Sequence, residues 1–163
     1  MKAIYVGSFN PFHKGHEFVA RIASKLCDTL VVAVTYNPSK PSSTKEDFDI
    51  RMKWVRENLR DIPNIEVISI VGGLTADTCK RIGIDLIVKG CRNSTDFESE
   101  KDQSNINRLI NPSLDTILVP AQPELEFVSS TLIRTLIKED HSISGLVNPS
   151  SEEDIVKYFK NRN

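Results

Sequence analysis

Apolar and polar positions along this chain follow two different periods. Residues 2–7 and 29–36 (the second reading Thr-Leu-Val-Val-Ala-Val-Thr-Tyr) are apolar on both faces, which predicts parallel strands buried between covering layers. Between them Phe18, Val19, Ile22, Ala23 and Leu26 share one stripe, with Glu17, Arg21 and Lys25 outside it, as in an amphipathic helix. Asn37 to Ser43 reads as a loop by its proline and serine content. Ser43 and Glu46 have capping-box spacing for a helix of about 14 residues that carries Phe48, Met52, Val55 and Leu59. Ile65 to Ile70 alternates as a half-buried strand does. Gly72-Gly73 turns the chain into a short helix over Leu74 to Ile82, and Asp85 to Val88 is another buried strand, ending at Lys89-Gly90-Cys91-Arg92. A polar helix over 97–110, a fifth strand over Thr116 to Val119, and helices near 130–139 and 152–161 complete the pattern.

Strands and helices in strict alternation with short crossovers predict an α/β fold: a Rossmann-like, doubly wound parallel five-stranded sheet with helices on both faces. In such sheets ligands bind at the carboxyl ends of the strands. That places the segments Ser8–His16, Asn37–Ser43 and Lys89–Arg92 at one mouth.

Composition narrows the picture. A length of 163 residues suits one domain, residues 1–163, with a real core. A formal charge of -1 gives no basis for non-specific nucleic-acid binding, so any anion site must be local. Cys27, Cys79 and Cys91 are widely spaced and form no CxxC pair, which reads as reduced thiols rather than a disulfide framework or a zinc site. Met1 leads directly into a strand, with no signal peptide and no long apolar run, so the expectation is a cytoplasmic protein that does not enter a membrane.

The chemistry concentrates in Gly7-Ser8-Phe9-Asn10-Pro11-Phe12-His13-Lys14-Gly15-His16, directly after the first strand. A small-residue turn lets a ligand approach the backbone. A helix starting near His16 offers unpaired N–H groups and a positive dipole end to a triphosphate, and the two histidines add donors that can be charged. His13 and His16 admit other readings: one can cap or pack the helix start with the other solvated, and a metal pair would need a third protein ligand that does not lie nearby. His141, in a polar late turn, reads as structural. Lys40 is either a solvated loop lysine or a ligand at a strand end, whereas Lys89 and Arg92, flanking Gly90 after a buried strand, suit a polyphosphate. Asp96 and Glu98 read as a solvated acidic helix start. In Ser129-Ser130-Thr131 one hydroxyl must cap the following helix, the surplus suggests a second phosphate cradle, and Arg134 is placed to reach the same anion. No P-loop or Ser-His-Asp arrangement is visible, so the site is built to position phosphates.

Ser8-Phe9-Asn10-Pro11-Phe12-His13-Lys14-Gly15-His16 resembles the (S/T)-x-(D/N)-P-x-x-x-G-H signature of the nucleotidylyltransferase superfamily, and Ser129 to Arg134 resembles its second signature. Pro38-Ser39-Lys40, Gly73-Leu74-Thr75, Val88-Lys89-Gly90-Cys91-Arg92, Asp96 to Glu100 and Asn107-Arg108 are similar to the phosphopantetheine adenylyltransferase family over nearly the whole chain. The resemblance implies adenylyl transfer from ATP to 4′-phosphopantetheine, giving 3′-dephospho-coenzyme A and pyrophosphate without a covalent intermediate. By position, His16, Lys40 and Lys89 would be catalytic. Ser8, Phe9, His16, Gly90, Cys91, Arg92, Glu100 and the run Leu125, Glu126, Phe127, Val128, Ser129, Ser130 and Thr131 would bind ATP. Ser8, Lys40, Thr75 and Lys89 would line the phosphopantetheine site. Magnesium would neutralise the leaving pyrophosphate through phosphate oxygens and water rather than a protein cage, and a homohexamer is implied.

Asn10 stands where that family usually carries Asp, and Lys89 where it carries Arg. Ser8-Phe9-Asn10-Pro11, His13 and the Ser-Ser-Thr…Arg form are nearer to nicotinate-nucleotide adenylyltransferases. The alternative acceptor is therefore nicotinate or nicotinamide mononucleotide. A cytidylyltransferase and a non-catalytic nucleotide-binding regulator are the readings from further away.

Overall fold

A computed structural model describes residues 1–39 and 44–162. Lys40 and Ser43, both singled out above, lie outside the described residues. The chain runs β1 (Lys2–Gly7), α1 (Lys14–Ser24), β2 (Thr29–Tyr36), α2 (Lys45–Leu59), β3 (Ile65–Val71), α3 (Thr75–Ile82), β4 (Leu86–Cys91), α4 (Ser94–Ile110), β5 (Asp115–Pro120), a 3-10 turn (Pro123–Leu125), α5 (Ser130–Lys138) and α6 (Pro149–Lys160). All five strands are parallel, in the order β3-β2-β1-β4-β5.

Side-chain alternation in the strands builds two cores. Ala3 and Tyr5 of β1, with Leu30, Val32 and Val34 of β2, point to the face covered by α1, α2, α5 and α6, where Trp54, Val55, Ile133 and Ile155 are buried. Ile4 and Val6, with Val31 and Ala33, point to the other face and meet Ala76 and Cys79 of α3. The doubly wound, two-faced sheet expected from the apolar runs is the one found.

Four boundaries differ from the sequence pattern. The α2 cap is Thr44, whose hydroxyl accepts from the Asp47 N–H while the Asp47 carboxylate accepts from the Thr44 N–H at 2.9 Å. The box is thus one residue later than Ser43 and Glu46 suggested, because Asp47 supplies the reciprocal bond as well as Glu46 would. Helix α4 starts at Ser94 rather than 97, capped by Asn93, and α6 starts at Pro149, capped by Asn148. Most consequential, Lys89, Gly90 and Cys91 are the last residues of β4 and not a loop. They continue the ladder opposite Leu118, Val119 and Pro120 of β5.

The sheet reverses its winding at β1, and there its ladders come apart. Pairing of β1 with β2 continues to Gly7, but pairing of β1 with β4 covers only Ile4–Ile87 and Tyr5–Val88. Beyond Tyr5 the two central strands diverge, and the crevice between them is the switch point at which α/β sheets bind ligands.

Candidate active site

Two cavities occupy that crevice. The first, about 340 Å³, is lined by Gly7, Ser8, Phe9, His13 and His16 on one side, Lys89, Gly90, Cys91, Arg92, Asp96 and Glu100 on another, and Leu125, Val128, Ser129 and Ser130 at the start of α5. The second, about 450 Å³, is lined by Ser8, Thr35, Gly73, Leu74, Thr75, Lys89, Glu100, Gln103 and Asn107. Val6, Gly7, Ser8, Lys89 and Glu100 belong to both, so the cavities share one wall. The structure thus brings together most of the residues picked out from the sequence. It leaves Glu126, Phe127 and Thr131 exposed and outside both linings.

The histidine motif folds back on itself. His13 is the N-cap of α1, and its Nδ1 accepts from the N–H groups of Gly15 (3.1 Å) and His16 (3.4 Å). His16 sits at the third helical position, and its Nδ1 accepts from the His13 N–H at 3.2 Å. The rings stack with centroids 3.6 Å apart, while Phe9 meets the His16 ring edge-on at 4.9 Å. Gly15 has to be glycine, because a Cβ there would lie 2.9 Å from the His13 ring. Likewise a Cβ on Gly7 would lie 2.7 Å from the Phe9 ring, so this glycine makes room for the aromatic wall as much as for a ligand.

This geometry corrects two sequence expectations. The α1 N–H groups are not free for an anion, since Lys14 donates to the Leu146 carbonyl and Gly15 and His16 donate to His13. Nor are the histidines charged. Burial, with the Arg92 charge added, pushes His13 down to about 3. Burial holds His16 well below the ordinary imidazole value, with His13, Lys89 and Arg92 adding to it. Two stacked imidazoles beside two cations have no room for a third positive charge. With each Nδ1 accepting, each neutral ring carries its proton on Nε2. His16 is therefore a neutral, fixed Nε2–H donor.

A pH dependence of stability follows. A folded-state pKa below the unfolded value means that the unfolded chain takes up the proton first. Stability is full above the ordinary imidazole range and is lost as pH falls from about 6.5 toward 3. For His13 the slope in that window is about 1.4 kcal/mol per pH unit, and His16 acts in the same direction. Urea unfolding at pH 7.5 and 5.0 should show it, and His13→Asn, which keeps a capping acceptor, should flatten it. Equal pH slopes in the two proteins would count against neutral histidines.

The cations come from β4 and its exit. Lys89 Nζ lies 3.4 Å from Glu100 Oε1 and donates to the Val6 carbonyl at 3.4 Å, so it spans the gap between β1 and β4 in the wall common to both cavities. Arg92 is held by Asp96, whose carboxylate accepts from the Arg92 N–H and Nε at 2.9 Å each and from Nη2 at 3.2 Å. The guanidinium in turn keeps the Asp96 carboxyl below its ordinary range. Asp96 thus orients a site arginine and is no solvated helix-start acid. Glu98, paired with Lys101, is exposed as expected. Thr75, the first residue of α3, faces the second cavity, and exposed His141 lies far along the chain after α5.

The three hydroxyls of Ser129–Thr131 have protein partners. Ser129 Oγ accepts from the Leu132 N–H at 3.0 Å, and Ser130 Oγ donates to the Pro11 carbonyl at 2.9 Å. Thr131 Oγ1 accepts from Arg134 Nη2, and Arg134 Nη1 donates to the Asn10 carbonyl at 2.6 Å. Arg134 therefore braces the first motif rather than reaching for an anion. Among the described residues, the Ser130 and Thr131 N–H groups at the head of α5 have no acceptor, which leaves them to a ligand. The sequence could not reveal this bracing, since it joins positions over a hundred residues apart.

On this fold, a cation-lined crevice at the switch point with a second cavity across one shared wall is the geometry of a nucleotidyltransferase. The chain belongs to the cytidylyltransferase-like family, whose model matches residues 4–136. Three relatives carry one name, phosphopantetheine adenylyltransferase. That of Streptococcus uberis is 36% identical over 98% of this chain and 93% of its own, and one from Prochlorococcus marinus is 37% identical over 98% and 100%. A third, from Dehalococcoides mccartyi, is 34% identical over 99% and 98%. Within the family this chain stands with the phosphopantetheine adenylyltransferases. The fold is shared more widely. A Vibrio parahaemolyticus protein described as a nicotinate-nucleotide adenylyltransferase superposes with a TM-score of 0.72 at 18% identity, covering 99% of this chain and 95% of its own. The nicotinic acid mononucleotide adenylyltransferase of Plasmodium falciparum, complexed with NaAD, superposes with a TM-score of 0.68 at 19% identity, covering 96% and 95%.

Proposed function

We propose that this chain transfers the adenylyl group of ATP to 4′-phosphopantetheine, giving 3′-dephospho-coenzyme A and pyrophosphate. The observation that carries the reaction is the common wall of Gly7, Ser8, Lys89 and Glu100, across which a nucleotide in the first cavity and a phosphorylated acceptor in the second would meet. The acceptor's identity rests on the names of the full-length relatives.

In the reaction an acceptor phosphate oxygen attacks the α-phosphorus, a P–O bond forms, and the bond to the β-phosphate oxygen breaks with pyrophosphate leaving. The attacking phosphate is already an anion, so no general base is required and catalysis is positioning and charge stabilisation. The His16 Nε2–H would donate to an α-phosphate oxygen. Lys89 would sit between the two phosphate chains, and the family resemblance assigns Lys40 to the acceptor. Arg92 and the free N–H groups at the head of α5 would hold the β- and γ-phosphates, while Gly90, Cys91, Glu100, Leu125, Val128, Ser129 and Ser130 would bound the nucleotide.

Asp96 and Glu100 are each engaged with a cation, and among the described residues no three His, Cys, Asp or Glu side chains cluster to hold a metal. Magnesium would accordingly be held by phosphate oxygens and water, where it supplies charge neutralisation of the leaving pyrophosphate. Among the described residues no helix is long and apolar enough to cross a membrane. We place the protein in the cytoplasm, with its three thiols reduced. The exposed Ile106 and Leu109 on α4 would offer an apolar contact to further copies of the chain, and a homohexamer is what the family resemblance implies.

The test is pyrophosphate release from ATP with each acceptor. Turnover with 4′-phosphopantetheine and none with nicotinate mononucleotide is expected, and the reverse result would overturn the assignment.

A further inference from the structure

The motif turn is held from outside the crevice by Arg51. Arg51 lies on the buried side of α2 and is 6% exposed. Its Nη1 donates to the carbonyl oxygens of Ser8 at 2.6 Å and Thr35 at 3.0 Å, and its Nε donates to its own helix at Asp47 O, 3.3 Å away. Among the described residues Arg51 forms no ion pair, because the Asp47 carboxylate is engaged by Tyr158 and Arg162. A buried guanidinium held by carbonyls and the face of the Phe48 ring, 5.9 Å away, without a paired carboxylate is costly, and an apolar side chain such as that of neighbouring Met52 would pack there without that cost.

The placement of the two carbonyls explains why a cation stands there. Ser8 directly follows β1 and Thr35 is near the end of β2, and both line the second cavity. The peptide unit is planar, so a Ser8 C=O aimed at Arg51 turns the Phe9 N–H to the opposite side. Phe9 itself has φ 49°, a left-handed backbone that a phenylalanine rarely adopts and that its surroundings must enforce. Two further carbonyls of the turn are braced from α5, Asn10 by Arg134 and Pro11 by Ser130.

We propose that Arg51 is a positioning residue of the phosphate site. It fixes the Ser8–Phe9 peptide with its N–H presented to an anion, and it sets a buried positive charge behind the wall between the two cavities. The inference rests on the reading of the first cavity as the triphosphate site.

Binding of ATP and of adenosine to Arg51→Met and Arg51→Lys, measured by calorimetry beside thermal melting, tests this. Arg51→Met should bind ATP about tenfold more weakly and leave adenosine unchanged, since the misplaced group serves only the phosphates. Should Arg51→Met fail to fold, Arg51→Lys decides. One ammonium cannot reproduce the planar fork, so its preference for ATP over adenosine should fall by about threefold. Parallel loss of both ligands, or an unchanged preference, overturns the proposal. If the unaltered chain shows no preference for ATP, the triphosphate reading fails and this inference with it. If it binds ATP but turns over no phosphopantetheine, only the acceptor assignment fails.

Discussion

Replacing His16 by Ala is expected to lower kcat by about 10²- to 10³-fold, with a much smaller change in the KM for ATP. The imidazole is neutral, its Nδ1 is committed to the His13 N–H, and its ring is clamped between His13, Phe9 and Phe12. A donor fixed in this way needs no reorganisation when charge builds on the α-phosphate oxygens, which is where preorganised donors gain their effect. The alanine variant also empties a packed site and removes a capping bond, so loss of fold must be separated from loss of chemistry. His16→Gln does that. A glutamine at the third helical position can still accept from the N-cap N–H, as in an ordinary capping box, while the imidazole donor is gone. Both variants should lose turnover to a similar extent, with His16→Gln melting close to the unaltered protein. A folded His16→Gln that turns over within threefold of normal would remove His16 from the chemistry.

Lys89→Met should cost about 10²-fold in kcat/KM, and most of that should be repulsion rather than a lost contact. With the ammonium gone, the Glu100 carboxylate stands unpaired in the wall shared by both cavities, where on the proposed reading it would face the phosphates of nucleotide and acceptor at once. Removing one partner of a partly buried charge pair typically costs a few kcal/mol, about tenfold in rate per 1.4 kcal/mol. The double variant Lys89→Met/Glu100→Gln should therefore recover about tenfold over Lys89→Met alone, a coupling that independent sites do not show. Strictly multiplicative effects would mean that the pair does not act as a unit. Lys89→Arg should retain activity, because a guanidinium can pair with Glu100 and still offer a second N–H to a phosphate.

The fold was legible because its strands are buried on both faces. Continuous runs such as Thr29–Tyr36 have no other reading once short helices alternate with them. The end of β4 was misread as a loop because Lys89 and Gly90 look like loop residues, whereas pairing with β5 carries the strand to Cys91. The site was legible as a set of segments, since strand carboxyl ends converge in any doubly wound sheet. Its internal wiring was not. Ser129, Ser130 and Thr131 look like three free hydroxyls until the Pro11 carbonyl and Arg134 are brought to them. Arg51 looks like a solvated helix cation until its helix docks beside β2.

By itself the sequence determined what is local: strand and helix order, the glycine-bearing motif after β1, the capping residues, and the chemical types assembled at the mouth. Periodicity and composition act over a few residues, so they survive without tertiary context. Only the tertiary structure decided protonation and partnership. His13 and His16 are neutral because burial and nearby cations, Arg92 for both and Lys89 for His16, brought from β4 and its exit, oppose a proton. Lys89 finds Glu100 on the next helix and the Val6 carbonyl on a strand 83 residues away. Desolvation and Coulomb terms depend on distance in space, and the spacing of residues along a chain does not encode it.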